Sequence, residues 1–296
     1  MHQAVDATLT HAQASAKPTD EQQTAIVNFE LGLFTAQTRD RLAGELDAHG
    51  ATGGPLNLSQ QPFYPGINDS LGGDRAPFNP VAFSLFAPWL NLDSDREREG
   101  DDDDRAAARR AIAAGEVIFN TRALTITNVR GLNDNAALGK PQSITGTCTT
   151  CHDTPNVGNH SFPLPLDIGT SHDPATENHA EIAAGLAQLD VPDVPVYRID
   201  GCPDPFTGQP TTIYTSDPGK ALIPKLDPIT NQMVAACADV NRIKGPILRA
   251  LAARAPYFHN GAGANLSQVV DFYNQRFQMN LTEEEKEQLI AFLNSL

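Results

Sequence analysis

Four cysteines occur in the chain, and two of them stand in the run Cys148-Thr149-Thr150-Cys151-His152. Two thiols at this spacing can reach both vinyl groups along one porphyrin edge, and the adjacent imidazole then falls beneath the iron as an axial ligand. The segment therefore reads as the attachment site of one covalent haem c, held by Cys148 and Cys151 with His152 on the iron. Two other chemistries use paired cysteines. A thioredoxin-like redox pair needs a strand–helix context that is missing here. A structural zinc site needs two more ligands at similar spacing, and Cys202 and Cys237 form no second C-x-x-C. In an oxidising compartment those two thiols are expected to pair and tie the surrounding segment together.

The elements that must position this run are mainly helical. Residues 19–37 read as a helix: Thr19 caps it, Gln22 answers from the third position, and Ile26, Phe29 and Leu33 recur at helical spacing. From Gly50 to Leu92 the chain turns irregular, with Phe78, Phe83, Phe86 and Trp89 as apolar anchors to a core. An acidic tract, Asp93 to Asp104, reads as a solvated linker and marks a boundary; its spacing does not match a calcium loop. A helix is expected over Arg105–Asn120. Residues 160–245 read as a long irregular insertion with one helix near His179–Leu189. Leu266, Val269, Val270 and Tyr273 form one apolar helix face. Thr282 and Glu285 form a capping box for a last helix whose Leu289, Phe292, Leu293 and Leu296 face inward. The fold expected is a mainly α, cytochrome c-like haem domain over residues 105–296, with residues 1–104 as an accessory segment.

The net charge of −15 over 296 residues argues against nucleic acid and anionic membrane surfaces as partners. It favours instead a redox partner protein with a basic docking face. No stretch approaches the roughly 20 apolar residues that cross a bilayer. Met1 to Pro18 has neither the basic start nor the apolar run of a signal peptide. Because haem is joined to thiols outside the bacterial cytoplasm, a periplasmic or extracellular location is expected, on a mature form or a piece of a longer polypeptide.

Several further runs carry a family resemblance. They are Gly245-Pro246-Ile247-Leu248-Arg249, then Arg254-Ala255-Pro256-Tyr257-Phe258-His259-Asn260-Gly261, and finally Leu289-Ile290-Ala291-Phe292-Leu293. Over residues 106–160 and 243–296 the chain resembles the C-terminal haem domain of the bacterial di-haem cytochrome c peroxidase and MauG family. Gly115 and Phe119 look like the first helix of a cytochrome c, where a small residue lets the last helix cross closely; Phe292 is then the aromatic partner at that crossing. Members of the family carry a second, N-terminal haem with its own C-x-x-C-H, whereas one such motif is present here. A further haem domain is therefore a candidate partner.

The ligand on the second face of the iron decides between electron transfer and reaction. Tyr273, Met279, Met233 and the remaining histidines are the candidates. The resemblance places the distal ligand at Tyr273, whose other reading is a buried core tyrosine. Met279 is the second candidate, from a loop able to reach the iron, and Met233 the third. His172 and His179 are expected on the surface, as is His160, which lies close enough to the haem loop to remain a candidate. His259 is expected to order the pocket. Arg249 and Arg254 are candidates to neutralise haem propionates, since guanidinium suits carboxylates. Trp89 is read as a core anchor rather than an electron relay. The leading functional reading is a mono-haem c-type cytochrome transferring single electrons, with Tyr273 opposite His152. The alternatives are a peroxidase or MauG-like haem oxidase, or the haem domain of a larger redox assembly.

Overall fold

In the computed structural model of the protein, the described residues are 2–33, 35–64, 66–71, 77–92, 103–159, 164–204, 207–222, 225–226, 233–234 and 237–296. Most of the acidic tract, residues 93–102, and His160 lie outside them. The described helices are α1 (His2–Asp6), α2 (Asp20–Leu31), α3 (Pro55–Ser59), α4 (Asp103–Thr121), α5 (Ala180–Leu186), α6 (Leu266–Arg276) and α7 (Glu283–Asn294). Strands come only as short antiparallel pairs among the described residues: β1 (Arg39–Asp40) with β2 (Gly44–Glu45), β3 (Leu124–Ile126) with β4 (Ile144–Gly146), β5 (Tyr197–Pro203) with β6 (Pro210–Thr215), and β7 (Lys225–Leu226) with β8 (Met233–Val234). The chain is mainly α, as expected.

Helices α4 and α7 form the central pair. Asp103 and Asp104 begin α4, where negative charge complements the helix dipole. Thr282 and Glu285 close the capping box that begins α7. The two helices touch at Gly115, where an added Cβ would lie 2.0 Å from the Gln288 carbonyl oxygen and 2.7 Å from Phe292 Cβ. Only glycine permits that approach. Leu289, Phe292, Leu293 and Leu296 all point inward from α7 and its end, as their spacing predicts.

The accessory segment fills the groove beside this pair. Phe83 meets Phe119 at 5.1 Å and Phe292 at 5.4 Å between ring centroids, both edge-on. Phe86 stacks obliquely on Trp89 at 5.0 Å. Trp89 is fully buried, its indole N–H donates to the Ala48 carbonyl at 2.9 Å, and the Arg109 guanidinium lies 5.5 Å from its ring. Trp89 is thus a core anchor. Asn120 pins the Phe83 backbone from both sides, accepting from its N–H at 3.1 Å and donating to its carbonyl at 2.8 Å. Phe78, expected among the anchors, is only half-buried.

Three expectations need correction. The capping box at Thr19 and Gln22 forms, but α2 stops at Leu31, and Phe29, Leu31 and Leu33 are exposed. A cap fixes where a helix starts whether or not its apolar residues find a neighbour. The segment between residues 160 and 245 contains α5 as expected, and it also carries the β5–β6 hairpin, with a bulge between Asp200 and Cys202. Cys202 is bonded to Cys237 with Cα atoms 5.4 Å apart, so the expected disulfide is present and fastens this hairpin. His172, expected on the surface, is held between Asp167 and Glu177.

One buried charge has a consequence for stability. Glu116 on α4 accepts a hydrogen bond from the Phe86 N–H at 2.6 Å, while its second oxygen has no hydrogen-bond partner among the described residues. Burial pushes its pKa up to about 7, against the backbone donors of Phe86 and Leu85 that lower it. A carboxyl whose folded pKa exceeds its unfolded one binds more protons when folded, so stability falls as pH rises from about 4.5 through about 7. The loss is on the order of 3 kcal/mol. Urea unfolding across this range should show that fall in the parent and a flattened profile in Glu116→Gln, which should be the more stable protein at high pH. Parallel profiles would refute the assignment.

Candidate functional site

The Cys148–His152 run follows β4 and forms a short 3-10 turn over Cys148–Thr150. The Thr147 hydroxyl caps the turn, and Thr150 answers at 2.9 Å to the Thr147 N–H. The accessory segment straps the turn from outside. Ser70 donates to the Thr150 carbonyl at 2.5 Å, Asn68 to that of Asp153 at 2.7 Å, and Thr149 donates to the Pro80 carbonyl at 2.9 Å. Every one of these bonds runs between segments far apart in sequence, so the turn is fixed by the whole fold.

His152 is oriented by one bond. Its Nδ1 lies 2.8 Å from the Gly158 carbonyl oxygen, which can only accept, so Nδ1 carries the hydrogen and Nε2 keeps its lone pair. Burial lowers the pKa of His152, with the Gly158 bond opposing, and the ring is neutral. That is the form a metal ion requires. Cys148 and Cys151 are free thiols, and burial pushes both pKa values up to about 12. They are uncharged sulfurs in an apolar wall, suited to ending as thioethers rather than as a thiolate redox pair.

These three residues line a cavity of about 420 Å³, a size typical of small-molecule sites. Its walls are largely aliphatic and aromatic, drawn from β3, α6, α7 and the loops between. Although the chain carries 36 acidic residues, no carboxylate among the described residues lines the cavity, whereas Lys244 and Arg254 do. An apolar, roomy space with two cations fits a large hydrophobic ligand bearing acidic groups, and the donor set of two thiols and one imidazole fits a c-type haem.

The sequence-derived residues divide clearly. Cys148, Cys151, His152, Tyr273, Met279 and Arg254 all line the cavity, as does His259. Tyr273 stacks on Phe277 at 5.7 Å, and its hydroxyl makes no hydrogen bond to the described residues. Burial, with the nearby Cys151 and Cys148, raises its pKa above the ordinary phenol value. Met279 is buried in the same wall. Arg249 does not line the cavity: its guanidinium donates to the carbonyls of Asn156 at 3.1 Å and Leu58 at 3.5 Å, turned toward the accessory segment. His179 is on the surface as expected, joined to Glu177, and Met233 sits on β8.

Residues that the sequence reading missed come mostly from the ends of the insertion. Leu164, Leu166 and Ile168 line the cavity together with Ile243 and Lys244. Leu166 and Ile243 bridge backbone to backbone, with bonds of 2.9 and 3.0 Å. Their signal was the alternation Leu164, Leu166, Ile168, which the prolines around it obscured.

No family model matches the chain, and no solved structure matches it. Local likeness to curated proteins is present. The chain is 46% identical over 66 residues to the cytochrome-c peroxidase IdrP2 of Denitromonas iodatirespirans. It is 36% identical over 69 residues to the cytochrome-c peroxidase IdrP1 of Pseudomonas sp. (strain SCT). Each match covers 20% of this chain and 18% of the relative. This part of the chain is cytochrome c peroxidase-like in sequence.

The His152 anchor can be tested at its partner. Gly158 has a φ of +80°, and an added Cβ would lie 2.7 Å from Leu248 Cγ. Gly158→Ala should displace the carbonyl from His152 and destabilise the fold by at least about 1–2 kcal/mol from the left-handed backbone alone. Calorimetry of the variant checks this; an unchanged melting temperature would show the carbonyl free to adjust.

Proposed function

We propose that this chain is the haem-bearing part of a cytochrome c peroxidase-type oxidoreductase working outside the cytoplasm. Cys148 and Cys151 would hold one haem c through thioethers, with His152 as axial ligand. The observation that carries this reading is the cavity itself: an apolar space lined by no carboxylate among the described residues, with the C-x-x-C-H turn and a lone-pair-bearing imidazole in its wall. When bound, the haem supplies a one-electron centre cycling between ferric and ferrous iron. Arg254 and Lys244 would neutralise its propionates, and the aliphatic walls would keep water from its faces.

The names of the relatives favour reaction with peroxide, drawing electrons from a reduced cytochrome, over electron carriage alone. The net charge of −15 favours a donor with a basic docking face. On this reading residues 105–296 form the cytochrome c-like haem domain, with the insertion between about 160 and 245 and the accessory segment packed against it. The Cys202–Cys237 disulfide accords with an oxidising compartment. A second reading, single-electron transfer with a closed iron, has its own support: Tyr273 and Met279 both line the cavity, and either would occupy the second face.

The tests separate these readings. In acid organic solvent the pigment should stay with the protein; pigment passing into the solvent overturns covalent attachment. Tyr273→Phe keeps the packing and removes only the oxygen, so a changed ferric spectrum identifies Tyr273 as the distal ligand. An unchanged spectrum there, with a change in Met279→Ala, assigns Met279 and favours the carrier. Rapid peroxide consumption by the haem-loaded chain with a reduced cytochrome is the result expected of the enzyme, and its absence leaves electron carriage.

A further inference from the structure

We infer that His259, with Asp217 and Ser171, forms a proton relay between solvent and the cavity, so that electron entry is accompanied by proton uptake on this chain. The inference rests on the haem reading above. Apart from the thiols, His152 and Tyr273, the titratable residues lining the cavity are Lys244, Arg254, Tyr257 and His259. Of these, only an imidazole exchanges protons readily near neutral pH.

The geometry supports a through-path. Nε2 of His259 lies 3.0 Å from Ser171 Oγ and 3.3 Å from Asp217 Oδ2. The His259 side chain is 19% exposed and that of Asp217 36% exposed, so the pair steps from cavity wall to solvent. Nδ1 of His259 makes no hydrogen bond to the described residues, which leaves the ring a second edge for transfer. Asp217 is held for this task. Its Oδ1 accepts from the Gly219 N–H at 2.7 Å, and its own N–H donates to Thr215 Oγ1 at 3.0 Å, which leaves Oδ2 for the imidazole. Ser171 is fixed as firmly, its carbonyl accepting from the Ser216 N–H at 2.9 Å and from the Thr215 hydroxyl at 3.2 Å. Asn260 ties the His259 loop to the same place, donating to the Thr170 carbonyl at 2.9 Å and to Ser216 Oγ at 3.3 Å.

Electrostatics favour the neutral ring, with the pKa of His259 below its ordinary value. Burial disfavours the imidazolium, while the carboxylates of Asp217 and Asp167 favour it. Asp167 is itself shared with His172, whose other nitrogen meets Glu177. The cations Arg254 and Lys244 and the phenols of Tyr257 and Tyr273 complete the charged and titratable surroundings on the cavity side. Adding one electron to the cavity lowers the local charge by one, which tips such a balance toward the protonated ring. The demand for protons is set by the reaction: breaking the O–O bond of one peroxide to give two waters consumes two electrons, supplied by the reduced donor, and two protons. The relay also gives the insertion a purpose. Asp217 follows β6 directly, and the disulfide that fastens the β5–β6 hairpin keeps it in place.

The experiment is a spectroelectrochemical titration of the haem-loaded chain across the pH range where histidine ionises, with haem content measured on every sample. The parent's midpoint potential should fall as pH rises between the pKa values of His259 with oxidised and with reduced iron. His259→Gln should abolish that slope at full haem content. Asp217→Asn, on the exposed side, should displace it to lower pH, because removing the carboxylate disfavours the imidazolium. A slope unchanged in both haem-loaded variants overturns the relay and leaves the haem reading intact. Should His259→Gln fail to load, Asp217→Asn decides alone, an undisplaced slope being refutation. A parent that carries no haem overturns the haem reading and the relay with it.

Discussion

The backbone contact between α4 and α7 at Gly115 sets the spacing on which the cavity depends. Because no side chain separates the helices there, Phe292 drops beside Phe119, and Phe119 reaches within 6.1 Å of the His152 ring. The end of the chain is thereby fastened beneath the C-x-x-C-H turn. Leu289 and Leu293 of α7, each the next residue after the contact residues Gln288 and Phe292, then become cavity wall. A larger residue at position 115 would push apart two elements that each carry part of the pocket. A glycine inside a helix costs about 1 kcal/mol against alanine, and here that cost is offset by the close approach of α7.

The accessory segment plays a second, complementary part. Phe83 and Phe86 complete the aromatic cluster around Phe292, while Asn68, Ser70 and Pro80 bond directly to the turn that bears Cys148 and Cys151. One stretch of chain thus supports the core and immobilises the turn that carries the two cysteines. On the haem reading such rigid support would matter, since an axial ligand must hold its position as the iron changes charge.

What the sequence made legible is what obeys local rules. Covalent haem attachment would demand a fixed spacing, so five residues sufficed to name Cys148, Cys151 and His152, and all three line the cavity. Helix starts at Thr19 and Thr282 follow from reciprocal caps, and the inward face of α7 follows from its period. Direction is not local. Arg249 and Arg254 stand five positions apart, flanking the same alanine-rich run, and only Arg254 meets the cavity, because Arg249 is claimed by two backbone carbonyls of distant segments. His172 was read as surface because its neighbours are polar. Those neighbours are its partners: burial opposes its charge, but Asp167 and Glu177 outweigh burial and hold its pKa at about 10. The β5–β6 hairpin did alternate, as Tyr197, Arg198, Ile199, Asp200, yet both faces are largely exposed, so the alternation carried little weight amid the surrounding prolines.

The insertion is joined to the site by a buried cation. Arg276 on α6 is fully buried; its Nε donates to the Ile168 carbonyl at 3.0 Å and its Nη2 to that of Thr127 at 2.8 Å. The guanidinium also lies 4.7 Å from the Phe277 ring, which stacks on Tyr273. Burial lowers its pKa, and Glu181, Asp167 and Glu177 offset that by their charge. One side chain therefore links the helix bearing a candidate distal ligand to β3 and to the insertion that forms the opposite wall. The three carboxylates offset part of the burial penalty of Arg276, and none of the three lines the cavity. The separation is physical economy of position: apolar residues face the cavity, while these anions stand behind them.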